Sequence, residues 1–412
     1  MKKEEKIFVD IMAQFMHPET NDIELIPLTT PEEWVNLYNI SVIHHAIPII
    51  YEGLKRNDFM EQIPNEVKSQ WRASAIGEII FQAKNTQNFL KLYNSLTECG
   101  VEALVVKGIV CRSLYLKPDY RVSRDEDLYI EKKDYETCNK FLKEHGFIRD
   151  DVDETDIPYE VSYFNREEGL NIELHTSLFD ENSASYGHWN KAFSKAFKNK
   201  KEVEIDGEKI LSLSDTDHLF FLICHAMKHF LHGGFGIRQL CDIIKMSEKY
   251  DSEINWQELI NKTKKLNMYV FWMNLLDIAQ NHLGFDWKNS SCPMPDSVML
   301  DSEALLEDIL CSGIYGKSSS GRIHSANITL GAAAKNKSMI SSIIYSLFPD
   351  KKYMVKRYPY LKRYGILIPA AWAHRLFHYR KELKSNVDKS ANNSIEIGKQ
   401  RINLMKKYKI IN

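Results

Sequence analysis

Two aspartates, Asp125 and Asp127, stand two residues apart in "VSRDEDLYI", where the chain enters an apolar run. In an extended strand, side chains at i and i+2 point to the same face. Asp125 and Asp127 would then share one face, with Glu126 and Leu128 on the other. Paired carboxylates repel, and a divalent cation is the usual neutraliser. Sites of phosphoryl transfer use this arrangement, either to hold one Mg²⁺ or to bridge two. The alternative is a pair of exposed acids on an edge strand. Two other Asp-x-Asp pairs have plainer settings: Asp151 and Asp153 fall in the charged run "RDDVDETD", and Asp215 and Asp217 open a helix, where acids complement its dipole.

A third carboxylate, Glu173, alternates with apolar residues in "LNIELH" and shares its face with His175. On a strand next to the aspartates it would complete a metal site or act as base toward an attacking hydroxyl. Lys107 and Gly108 fall where a strand gives way to a helix. Glycine there permits close approach of backbone N–H groups to phosphate oxygens, and Lys107 adds a point charge. Arg121 and Arg124 precede Asp125 and would either contact a triphosphate or pair with acids. His225 and His229 lie four apart in "HAMKH", on one helix face at metal-ligand spacing. The glutamate of a zincin motif is missing, so they rank as accessory residues. "GIYGKSSSGR" has too few residues between its glycines for a phosphate-binding P-loop and reads as a flexible loop.

The elements that must position these residues follow from pattern. Residues 1–100 read as a helical N-terminal region, with a long helix between Val67 and Leu96 stopped by Gly100. Residues 101–212 change to mixed α/β with at least five strands: "VEALVV", "DLYIEK", the hairpin "YEVSYFN"/"GLNIELH", and the hairpin of "KEVEIDGEKILSLS" turning at Asp206-Gly207. "GIVCRSLYL" and "KKDYETCNKFLKEHG" fit helices. Residues 213–311 return to helices, starting at Ser214 as N-cap with Asp217 as an acidic capping partner. Residues 312–342 form a Gly/Ser/Ala-rich loop, and 343–412 a basic, aromatic C-terminal region.

Composition narrows the class. The 412 residues are 44% hydrophobic and 27% charged with net charge −2, so no global basic field points to a long nucleic acid. Seven scattered cysteines without a C-x-x-C pair imply reduced thiols and a cytoplasmic setting. No run of about twenty apolar residues predicts a membrane span. The basic and aromatic tail from Lys351 to Arg363 allows a membrane-surface or nucleic-acid contact. Pro359 and Pro369 interrupt a long amphipathic helix there and disfavour it.

In this order, Val106-Lys107-Gly108, Leu114-Tyr115, Pro118, Arg121, Asp125-Glu126-Asp127-Leu128, Glu173-Leu174-His175 and His225 with His229 resemble a bacterial family of uncharacterised nucleotidyltransferases. That family lies in the polymerase-β-like nucleotidyltransferase superfamily. The resemblance touches residues from about 100 to 380. It implies an α+β protein: a small mixed sheet of polymerase-β-like type, flanked by N- and C-terminal helical regions. It also implies transfer of a nucleoside monophosphate from an NTP such as ATP to an acceptor, with release of pyrophosphate and two Mg²⁺ ions. Asp125 and Asp127 would be metal ligands and Glu173 the third catalytic carboxylate. The acceptor is open among a small molecule, a sugar, RNA and a protein. One departure is visible. Lys107-Gly108-Ile109 stands where many members of the superfamily have Gly-Ser, and seventeen positions separate Gly108 from Asp125. A non-catalytic binding or scaffold descendant therefore stays open, as does, more remotely, a sugar-nucleotide glycosyltransferase using Asp-x-Asp.

Overall fold

A computed structural model describes residues 1–18, 23–150, 157–295, 300–313, 329, 330, 333, 351, 354, 355, 358–375 and 390–411. Asp151 and Asp153, the "GIYGKSSSGR" loop after Gly313 and much of the basic tail lie outside them.

The centre is one seven-stranded mixed sheet in the order β3-β4-β5-β2-β1-β7-β6. Its strands are β1 (Ala103–Val105), β2 (Glu126–Ile130), β3 (Ile148–Arg149), β4 (Glu160–Asn165), β5 (Leu170–His175), β6 (Lys201–Ile205) and β7 (Glu208–Ser212). The two hairpins expected from the alternation, β4–β5 and β6–β7, both pair antiparallel, and Asp206 and Gly207 turn the second with positive φ. The pairings that bring the hairpins together are long-range. β2 lies parallel to β5 and antiparallel to β1, and β1 lies parallel to β7.

The N-terminal helices are α1 (Lys3–Met16), α2 (Pro31–Ile43), α3 (Ile47–Arg56) and α4 (Asn65–Glu98). After β1 comes a single helical turn, α5 (Ile109–Arg112), shorter than "GIVCRSLYL" suggests; α6 (Tyr135–Glu144) follows β2. Next come α7 (Asp215–His232), α8 (Ile237–Lys249), α9 (Trp256–Lys265), α10 (Tyr269–His282) and α11 (Glu303–Ser312). Apolar side chains of α1–α3 and α7–α11 join one buried cluster, which reaches the sheet through Leu104 and Val106. A second cluster fills the other sheet face, between Phe89 and Leu96 of α4, Phe141 and Leu142 of α6, and Leu128, Ile172 and Leu174. Sites on β2 and β5 are therefore clamped from both sides. The Ser214 side chain accepts from Asp217 N–H, as a cap should, but the Asp217 carboxylate pairs with Lys262 Nζ at 2.6 Å instead of reaching back to the cap. In the tail, Met354, Tyr358, Leu361 and Ala371 bury against one another.

Candidate active site

The parallel register of β2 and β5 sets Asp127 directly opposite Glu173 and Tyr129 opposite His175. The other face of the same strands carries Leu128, Ile172 and Leu174 into the core. Alternation thus sorts the strands into an apolar face and a face of titratable groups. Ligand atoms of Asp127, Glu173 and His175 all lie within 4.8 Å of one another. Asp125 sits one residue before β2, half-buried, and lines a narrow cleft with Lys107, Ser123, His225 and Gln239.

Asp127 is the most enclosed of the acids, 2% exposed. Its Oδ1 accepts from Lys107 Nζ at 2.9 Å and lies 3.2 Å from His175 Nε2. Its Oδ2 is buried and makes no hydrogen bond among the described residues. Burial alone would push this carboxyl up, but Lys107 and His175 outweigh it and hold it well below the usual range. Glu173 goes the other way. Burial and the neighbouring Asp127 charge push its carboxyl up to about 7. His175 Nε2 is 3.8 Å from Glu173, and its Nδ1 faces Glu160 at 3.7 Å, which in turn lies 3.9 Å from Lys228.

The Lys107-Gly108 turn has an unexpected occupant. Gly108 takes φ 55° and ψ −117°, and the oxygen that approaches it is Glu126 Oε2. A Cβ on Gly108 would sit 1.9 Å from Glu126 Oε2. Glu126 Oε2 accepts from Ile109 N–H at 2.6 Å, and Oε1 pairs with buried Arg112 at 2.6 Å. This carboxylate locks the start of α5 to the start of β2, and so fixes Lys107 against Asp127.

The loop from Arg121 to Asp125 is pinned from distant elements. Arg121 forms a buried two-point pair with Asp242 of α8, 2.5 Å between Nη2 and Oδ2 and 3.1 Å between Nε and Oδ1. Gln82 of α4 brackets Ser123 with two hydrogen bonds, and Arg238 of α8 donates to the Val122 carbonyl. Arg124, 44% exposed, pairs with Glu78 and lies over the Phe81 ring. Both arginines thus have protein partners, and only Arg121 lines the cleft.

His225 and His229 project from α7 with their Nε2 atoms 3.1 Å apart, His225 into the cleft. Burial, then the Lys107 charge for His225 and the Lys228 charge for His229, push both imidazoles well below their usual value. As neutral rings they satisfy each other, one donating and one accepting. One positioning residue escaped the sequence reading. His218 of α7 bonds the Val106 carbonyl at 2.8 Å, immediately before Lys107. The only signal was one more histidine on an apolar helix that carries four, which says nothing about its partner.

A family profile described as "Uncharacterised nucleotidyltransferase" matches residues 30–284. No curated protein matches the sequence. Among solved structures, an antigenic nucleotidyltransferase-like protein from Paracoccidioides brasiliensis aligns with 16% identity and a TM-score of 0.32, over 50% of this chain and 94% of that one. With the family profile spanning well over half of the sequence, the chain belongs to the uncharacterised nucleotidyltransferase family.

Proposed function

We propose that this protein transfers a nucleoside monophosphate from an NTP to a hydroxyl-bearing acceptor and releases pyrophosphate, at the edge formed by Asp125, Asp127 and Glu173. The polymerase-β-like reading of the sheet belongs to this proposal. The observation that carries it is the register that sets Asp127 opposite Glu173, beside Lys107 and the cleft lined by Asp125, in a chain of a nucleotidyltransferase family.

The residues fit a divalent cation, Mg²⁺ being the one the family leads us to expect. Two carboxylates and an imidazole converge, and Asp127 Oδ2 is buried without a hydrogen bond among the described residues. Asp127 and Glu173 would hold the cation, with Asp125 at the mouth. When bound, it would neutralise charge developing on the transferred phosphoryl group.

The chain's own groups supply the rest. Lys107, partly buried at the cleft, offers its ammonium to the triphosphate. The pinned Arg121–Asp125 loop holds Asp125 in place before substrate arrives, so little reorganisation is needed during reaction. Glu173 faces Asp127 across the register as the second carboxylate of the cation site, and burial with the Asp127 charge holds its proton until a cation enters. Neutral His225 and Ser123 give the cleft hydrogen-bonding groups without charge, which suits an acceptor hydroxyl.

A second reading, nucleotide binding without turnover, draws on one observation: Glu126 fills the Gly108 turn, where many members of the superfamily present a serine to phosphate. The test is incubation with each α-³²P-labelled NTP and Mg²⁺, against small-molecule, RNA and protein acceptor pools. Pyrophosphate release with label transfer, lost in Asp127→Asn, supports transfer. Tight NTP binding with neither product supports the second reading.

A further inference from the structure

The third group around Asp127 and Glu173 is an imidazole, and this bears on which cation the site takes. His175 is 5% exposed. Its Nε2 points at both acids, 3.2 Å from Asp127 and 3.8 Å from Glu173. Its Nδ1 is buried, makes no hydrogen bond among the described residues, and faces Glu160 at 3.7 Å. Glu160 thus stands behind the ring nitrogen that faces away from the two acids, at ion-pair rather than hydrogen-bond distance. Glu160 is steadied in turn by Lys228 at 3.9 Å. Mg²⁺ is a hard ion that prefers oxygen and keeps its waters, whereas first-row transition cations accept imidazole nitrogen readily.

We propose that Asp127, Glu173 and His175 form one mixed oxygen–nitrogen site that takes a first-row divalent transition cation in preference to Mg²⁺. The inference rests on the transferase reading only for placing a cation here; it does not require a nucleotide. The strands make the site. Asp127 and Glu173 are register partners, and His175 is two residues beyond Glu173 on the same face. No loop has to move to bring the three ligands together. Lys107 is the resident cation at Asp127 Oδ1 and competes electrostatically for that carboxylate, whose Oδ2 has no hydrogen bond among the described residues.

Mn²⁺ is the stringent probe, because it binds nitrogen–oxygen sites most weakly in the divalent series. Titration of the full chain with Mn²⁺, followed by the loss of the free-ion EPR signal, gives the affinity. Competition with Mg²⁺ gives the ratio, and pulsed EPR reports any ¹⁴N nucleus bound to the manganese. Each is run with and without a non-hydrolysable NTP analogue. The expected result is Mn²⁺ at least tenfold tighter than Mg²⁺, with one ¹⁴N coupling that His175→Gln removes while Asp125→Asn keeps it. Equal affinities, manganese bound without ¹⁴N coupling, a coupling that survives in His175→Gln, or no manganese bound in either condition would each overturn the proposal. The first two outcomes are read on the unaltered protein, so a variant that fails to fold does not blur them. Manganese bound through His175 in a protein that binds no NTP would leave this inference standing and refute the transferase reading.

Discussion

Replacing Gly108 by alanine separates two reasons for a glycine at this turn. If the position serves a phosphate, Gly108→Ala should cost ligand affinity and little stability. The structure supplies a second reason, internal to the fold. At φ 55° and ψ −117° an L residue is strained, at about 1–3 kcal/mol. The new methyl would also stand 1.9 Å from Glu126 Oε2 and 3.1 Å from the Asp125 carbonyl. Glu126 cannot swing away freely, since it is 2% exposed and tied to Ile109 N–H and Arg112. Losing one charge-assisted hydrogen bond adds about 1.5–3 kcal/mol. Together these predict about 3–5 kcal/mol lost in urea unfolding without any ligand. Glu126→Ala alone should destabilise, because it leaves Arg112 buried without its carboxylate. The double variant should cost less than the sum of the two, because alanine at 108 then has room. A Gly108→Ala loss below about 1 kcal/mol with weakened NTP binding would refute this reasoning and return the turn to phosphate binding.

Glu173 gives a pH signature. Its folded carboxyl, up at about 7 against an ordinary 4.5, holds its proton more tightly than the unfolded chain does. Its contribution to stability therefore falls as pH rises from 4.5 through 7. The full shift is worth about 3 kcal/mol, and about 2 kcal/mol after allowing for solvent screening at a side chain 28% exposed. Glu173→Gln should flatten the unfolding free energy over that window and be the more stable protein at pH 8 in EDTA; equal slopes would contradict the assignment. Lys107→Met should tighten cation binding in calorimetry without nucleotide, because the competing ammonium is gone, and weaken NTP binding. Arg121→Met should cost about 3–5 kcal/mol in chemical unfolding by stranding buried Asp242, while Arg124→Ala should stay within about 1 kcal/mol.

The sequence disclosed what is local. Alternation placed Glu173 and His175 on one face, strand geometry put Asp127 opposite in sense to Glu126 and Leu128, and Asp206-Gly207 announced its hairpin. It could not disclose pairings set by distance. Nothing in "DLYI" says that it lies parallel to "NIEL" across 46 residues, yet that register makes the site. Glu126 read as filler between two aspartates because its value lies in Arg112 and the Gly108 turn, which meet it only after folding. Arg121 was open between ligand and ion pair, and the deciding partner, Asp242, comes from a helix 121 residues away. Alternation set His175 on the face of Glu173, and only the folded register shows its Nε2 within 4.8 Å of ligand atoms of both Asp127 and Glu173 while Asp125 lines the cleft. Among the described residues no helix is long and apolar enough to cross a membrane.

The most direct test of the central claim is calorimetric titration of the full chain with each NTP, with and without a divalent cation, beside Asp125→Asn/Asp127→Asn. Cation-dependent binding of at least one NTP that the double variant loses is the result this account predicts. NTP binding that ignores both the cation and the two substitutions would contradict it.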